Sequence, residues 1–177
     1  SAASDVYKRQ HLEFYTIEEL AEIVRINARK LQTPISEEAA VELARRSRGT
    51  PRVANARLWW TRHFATSEAD GHITLDLARA ALDMAEVDRE GLDKQDRRYL
   101  ELLIGVHGGG PAGVESLAAS MTLPVDTLSD EIEPYLLREQ FIVRSPRGRV
   151  ATARAYQILG RPMKPQPPED RQPNLFD

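Results

Sequence analysis

Arg144-Ser145-Pro146-Arg147-Gly148-Arg149 lies between two short apolar runs near the C-terminal end of the 177-residue chain. Proline and glycine at its centre favour a tight turn, so the stretch reads as the tip of a β-hairpin. Three guanidinium groups on such a tip form a device for gripping phosphates or entering a minor groove. The surroundings sharpen this reading. From Gln140 to Pro168 there are six basic residues and no Asp or Glu; the whole chain is formally −3, so the rest carries −9 once those six charges are set aside. A basic tip on an acidic body points to local contact with nucleic acid. A lone Arg-Gly-Arg would be no more than a solvated hairpin, and it is the sequence before it that changes the weighting.

With 41% hydrophobic and 29% charged residues, the chain can bury one ordinary core or two small ones. Aromatic residues make up only 6%, which suits helices packed through Leu, Ala, Ile and Val. The chain has no cysteine, which excludes disulfide scaffolds, thiolate zinc sites and cysteine nucleophiles and fits a reducing compartment. No apolar run approaches the roughly 18 residues that span a bilayer. The expectation is a cytoplasmic chain without membrane contact.

Working back from the hairpin, the pattern is helical almost throughout. Thr16 with Glu19 makes a capping box, followed by Ile17, Leu20, Val24, Ala28 and Leu31 at helical spacing. Ser36 opens a second helix, with Glu37 and Glu38 in its first turn, Arg45 and Arg46 in its last, and Gly49 at its end. Thr50 caps a third helix with Pro51 at its first position, running to about Thr66, and Thr74 opens a fourth. These four form a small bundle. Val87 to Gly91 reads as a polar joint. Beyond it, Asp93 opens a helix that stops at Gly108-Gly109-Gly110-Pro111; a shorter helix follows from Val114 to Met121, and another from about Pro124 to Arg138 with Val125, Leu128, Ile132 and Leu136 inward. Three helices followed by a hairpin is the order of a winged helix. The first ten residues show no apolar period and match one frame of a sequencing adapter, so they are expected to be non-native. Proline and charge predict a disordered tail over 162–177.

The strings LEFYTIEELAEIV (Leu12 to Val24), ARRSRGTPRVAN (Ala44 to Asn55), VDREGLDKQDRRYL (Val87 to Leu100), GGGPAGVESLAA (Gly108 to Ala119), EPYLL (Glu133 to Leu137) and RSPRGRVAT (Arg144 to Thr152) resemble, in order, the C-terminal half of the RuvB family. These are bacterial AAA+ ring ATPases that drive Holliday-junction branch migration in recombination and repair. The resemblance implies a mainly α fold: a four-helix AAA+ small (lid) domain over 11–86, then a winged-helix head with a two-stranded wing over 87–161. It also implies ATP as the nucleotide, with magnesium held by a large ATPase domain outside this chain. The implied partners are double-stranded DNA at the junction, five further copies in a homohexameric ring, RuvA and RuvC. The sequence contains no G-x-x-x-x-G-K-[ST] phosphate loop, so the glycine run at 108–110 is a turn and no catalytic residue is expected here.

Arg52 is the first site candidate. It falls in the first turn of the third helix, where free N–H groups and the macrodipole favour an anion, and the resemblance assigns it the sensor role of contacting a γ-phosphate. The resemblance also places Tyr15 beside the nucleotide at the hinge, and Pro51 beside the adenine. Arg46 and Arg48 read as surface or interface charges. Arg144, Arg147 and Arg149 are the DNA candidates, able to neutralise at most about three phosphates per subunit. Strand alternation sends Arg144 and Arg149 to differing faces unless a bulge intervenes. The helix before the wing carries Asp126, Asp130, Glu131 and Glu133 at positions read as outward, so phosphate should repel it and the wing should bind without reading sequence. Trp59 and Trp60 read as core or interface residues. His11, His63, His72 and His107 have no metal-binding spacing.

Two other classes remain. A winged-helix transcription regulator would need a basic recognition helix, and a clamp-loader or initiator fragment would lack the RSPRGR wing in this position.

Overall fold

The computed structural model describes residues 14–163. The expected non-native segment at 1–10 and all but the first two residues of the expected disordered tail lie outside them. The chain divides into two compact units, 1–94 and 95–177.

In the first unit, α1 (Ile17–Lys30), α2 (Glu37–Arg45), α3 (Pro51–Glu68) and α4 (Leu75–Met84) form the four-helix bundle. Their starts follow local rules. Thr16 accepts from the Glu19 N–H while Glu19 reaches back to the Thr16 N–H, closing the capping box. Ser36 and Thr74 cap α2 and α4 with one bond each, their hydroxyls accepting from the N–H groups of Ala39 and Leu77. Each such cap stabilises a helix by about 1 kcal/mol. Thr50 departs from the expectation: it occupies the cap position but its hydroxyl donates to the Ser47 carbonyl at 3.2 Å, so the start of α3 has no capping side chain. The core is built by Leu20, Val24, Leu43, Leu58, Ile73 and Leu82. α1 packs on α2 and α3, and α4 on α2 and α3. A short parallel bridge, Ile35 to Ile73, ties the loops before α2 and α4 together.

Two sequence expectations change here. Arg46 is not a surface charge: at 2% exposure it bonds Glu42 at 2.6 Å and the Val87 carbonyl at 3.1 Å. Trp59 and Trp60 are not core residues, standing 47% and 42% exposed. The polar joint from Val87 to Gly91 is an ordered turn: the Asp88 carboxylate accepts from the N–H groups of Glu90 and Leu92, both at 2.9 Å, and Val87 is part of the bundle core.

The second unit contains α5 (Lys94–Gly105), α6 (Val114–Met121), a composite helical stretch, and a hairpin of β1 (Ile142–Ser145) and β2 (Gly148–Ala151), closed by α9 (Ala153–Ile158). The composite stretch runs from α7 (Val125–Thr127) through a π-helical turn (Leu128–Ile132) into α8 (Glu133–Arg138). Pro134 is the cause of the interruption. It has no N–H for the carbonyl four residues back and its ring crowds that carbonyl, so the Glu133 N–H instead bonds Leu128, five residues earlier. The extra residue in that turn shifts the phase of everything after it. Glu133, expected outward, is therefore fully buried. Tyr99, Leu103, Leu117, Leu128, Leu136 and Phe141 fill the core.

The hairpin has a third edge that the sequence does not announce. Ala112 pairs antiparallel with Arg149, N–H to O in both directions at 2.9 and 2.8 Å, and the Ala151 N–H bonds the Gly109 carbonyl at 2.8 Å. The glycine run thus lays the backbone after α5 along the hairpin. Gly110 and Gly148 have positive φ, and a Cβ at either would overlap main-chain atoms of the opposing segment. Only glycine permits that approach.

Among the described residues no helix is long and apolar enough to cross a membrane, and no group of three or more acidic or histidine side chains is placed to hold a metal.

Candidate functional site

Two separate places gather the predicted residues. The first is the start of α3. Arg48 and Gly49 both adopt left-handed backbone, with φ of 58° and 69°, which turns the chain sharply out of α2. The Tyr15 N–H donates to the Gly49 carbonyl at 2.9 Å, so the segment entering α1 is fastened to the loop that precedes Thr50, Pro51 and Arg52. Tyr15 is 45% exposed and Arg52 is exposed. Arg48 is engaged by Asp93 at 3.4 Å. With no acidic residue in its first turn and no capping side chain, α3 presents open N–H donors beside an exposed guanidinium. Such an arrangement can receive an anionic group.

The second is the wing. The two strands meet in a two-residue turn, Pro146-Arg147, with Ser145 paired to Gly148. The Ser145 hydroxyl donates to the Gly148 carbonyl at 2.9 Å and accepts from the Arg147 N–H, which stiffens the tip. Arg147 is exposed at the apex and forms no ion pair with another described residue.

Arg144 and Arg149 are register partners across the hairpin, so they lie on one face and not on two. Both turn toward Glu133. Arg149 bonds it bidentately, Nε to Oε1 at 2.8 Å and Nη2 to Oε2 at 2.9 Å. Arg144 adds one bond, Nη2 to Oε2 at 3.1 Å, and the Tyr99 hydroxyl donates to Oε1 at 2.9 Å. Two like charges set directly opposite would repel; the carboxylate between them removes the conflict. Burial pushes the Glu133 carboxyl up, but the bonds from Arg149 and Tyr99 outweigh it and hold the group below the usual glutamate range. Burial, and then the Glu133 charge, push Tyr99 upward, while the bond to Glu133 raises Arg149 further. At neutral pH Glu133 and Arg149 therefore stay charged and Tyr99 keeps its proton.

Sequence reasoning missed Glu133 and the Ala112 pairing. Pro134 was the available signal for the first, since a proline inside a helical pattern breaks the period. The second is a pairing between segments distant in the chain and left no local mark.

The comparisons agree with this division. The family model described as "RuvB AAA lid domain" matches residues 15–88, and that described as "RuvB C-terminal winged helix domain" matches residues 89–160. The chain is 48% identical over 159 residues to the Holliday junction branch migration complex subunit RuvB of Rhodopirellula baltica, covering 90% of this chain and 43% of that protein. Among solved structures it is similar to the Thermotoga maritima RuvB Holliday junction branch migration motor, with 41% identity and a TM-score of 0.82 over 85% of this chain and 51% of that one. A point mutant of the same Thermotoga maritima protein superposes with a TM-score of 0.83 at 40% identity, over 85% of this chain and 50% of that one. The chain therefore spans about half the length of the relatives it matches. Its two units are the lid and the C-terminal winged helix of the RuvB family, and the chain belongs to that family.

Proposed function

We propose that this chain is the lid and DNA-gripping head of an ATP-driven motor that moves Holliday junctions during recombination and repair. The observation that carries the reading is the order of the two units, each matched by its own RuvB domain model, together with a basic hairpin apex free to meet DNA.

ATP and its magnesium are held by a large ATPase domain that the sequence of this chain does not include. Arg52 reaches the γ-phosphate from the open start of α3, and Tyr15 and Pro51 flank the nucleotide from the same corner. Loss of the γ-phosphate removes the partner of Arg52, and the lid moves. In the head, Arg147 contacts backbone phosphate, with Arg144 and Arg149 behind it. Asp126, Asp130 and Glu131 lie on the stretch that precedes the wing, and all three are exposed. They disfavour insertion of that helix into a major groove, so binding does not depend on base sequence. The working form is a homohexameric ring in the cytoplasm, loaded on junctions by RuvA and acting with the nuclease RuvC. A ring makes each later head contact intramolecular, so weak single contacts suffice.

The test is a chimera in which residues 15–160 replace the matching region of the Rhodopirellula baltica RuvB. It is expected to migrate synthetic junctions when ATP is supplied. A chimera that folds, hexamerises and hydrolyses ATP yet leaves junctions in place counts against the assignment.

A further inference from the structure

Glu133 has no exposed side-chain surface, yet its carboxylate receives four hydrogen bonds from three separate elements. Oε1 takes Arg149 Nε and the Tyr99 hydroxyl; Oε2 takes Arg149 Nη2 and Arg144 Nη2. A carboxylate offers about four lone-pair sites, so this one is fully used.

The two arginines are held unequally. Arg149 grips both oxygens as a fork and its side chain is 17% exposed. Arg144 holds one oxygen through a single N–H and its side chain is 55% exposed. Arg149 also feels the Glu115 carboxylate, so Arg144, which has only its single bond to Glu133 and lies nearer solvent, is the less fully neutralised of the two. A DNA phosphate presents the same acceptor geometry as a carboxylate. It competes for the more weakly held and more exposed guanidinium.

We propose that Glu133 is the positioning residue of the wing and acts as an internal counter-anion, fixing Arg149 as a strut that never meets DNA and releasing Arg144 to a phosphate only when a duplex docks. This inference rests on the reading of the wing as a duplex contact. It holds the grip of each head below that of three free arginines. It also provides a route for letting go, since Arg144 returns to Glu133 as the phosphate leaves. A motor that passes every phosphate once needs both properties.

The test is duplex binding by the 177-residue chain, read by fluorescence anisotropy on two unrelated duplexes of about 30 base pairs over a salt series. Each neutralised phosphate contributes about 0.9 to the slope of log K against log salt. Glu133→Gln keeps the shape and an acceptor oxygen for Arg149 but removes the charge. Binding at low salt is expected to tighten roughly threefold to tenfold with the slope nearly unchanged, because Arg144 meets the same phosphate in both chains. Adding Arg144→Gln in that background should cancel the gain, whereas Arg144→Gln alone should cost less. A folded Glu133→Gln chain that binds no tighter overturns the proposal, as does an Arg144→Gln effect of equal size in both backgrounds. If the glutamine variant does not fold, side-chain nitrogen NMR on the wild-type chain decides. Arg144 resonances should move with added duplex while the Arg149 Nε–H keeps its shift; movement of both, or of neither, counts against it. Arg147→Ala separates the two levels. If it leaves duplex binding unchanged, or the wild-type chain binds no duplex at all, the wing reading fails and takes this proposal with it. If Arg147→Ala weakens binding but Glu133→Gln is silent, only the role of Glu133 is lost.

Discussion

The Arg149 guanidinium and the Glu133 carboxylate form a two-pronged ion pair, 2.8 and 2.9 Å long, beneath the only hairpin among the described residues. It ties β2 to α8, and through the Tyr99 hydroxyl it reaches α5 as well. Removing Glu133 takes the counter-charge from Arg149, whose side chain is 17% exposed, and the partner of the buried Tyr99 hydroxyl, which costs up to about 3–5 kcal/mol. Glu133→Ala is therefore expected to destabilise the second unit by that order, measured as a lower urea midpoint of chain unfolding. A loss under about 1 kcal/mol would show the pair to be incidental.

Acid should erase this contribution. Because Glu133 titrates below the ordinary glutamate value of about 4.3, its stabilisation is complete above that value. It is lost as pH falls from there through the depressed folded value. The stability gap between wild type and Glu133→Gln is expected to be constant from about pH 6 to 8 and to narrow below about pH 4. Urea titrations at a series of pH values read it directly; a gap that widened in acid would contradict the assigned shift.

The glycines of the wing's third edge should respond unequally. A Cβ at Gly110 overlaps the Arg149 carbonyl, whereas one at Gly108 meets nothing within 4 Å and only the left-handed backbone, φ 65°, opposes it. Gly108→Ala is expected to cost about 1 kcal/mol. Gly110→Ala should cost several times more and expose the Ala112 and Arg149 amides to hydrogen exchange. Equal effects at the two positions would mean that the backbone approach does not matter.

Arg147→Ala should leave the melting temperature unchanged, because the side chain is exposed and no described residue pairs with it. Duplex affinity should drop about equally on unrelated sequences, with the salt slope flattened by about 1. A drop confined to one sequence would favour a base-reading protein.

Arg52→Ala is likewise expected to fold normally, since Arg52 stands exposed in the first turn of α3. In a full-length motor carrying these residues it should slow ATP hydrolysis and uncouple it from migration, with most nucleotide binding kept. Wild-type migration in that variant would remove the sensor role.

What the sequence makes legible is local. Thr16 with Glu19, Ser36 and Thr74 each cap a helix within three residues, so their positions follow from short-range rules. Arg147 at the hairpin apex is visible for the same reason. Arg46 escapes such rules because a basic residue in a last helical turn normally serves the macrodipole in solvent, and only the packing of α4 and the chain at Val87 encloses it. Glu133 escapes them because a 3.6-residue period carried through Pro134 points it outward. The common face of Arg144 and Arg149 depends on register, which the two-residue turn fixes and spacing alone does not.

The turn at Asp88 bears on how the two halves can be handled apart. By composition, Val87 to Gly91 is the natural place to cut the chain. The Asp88 carboxylate nevertheless binds the amides of Glu90 and Leu92, Val87 sits in the bundle core, and the Val87 carbonyl accepts a bond from buried Arg46. A protease needs an extended, unpaired stretch of backbone and finds none there. A lid expressed only to Glu86 loses a core side chain and leaves the Arg46 guanidinium short of an acceptor, so the first unit is separable only if its last residues travel with it.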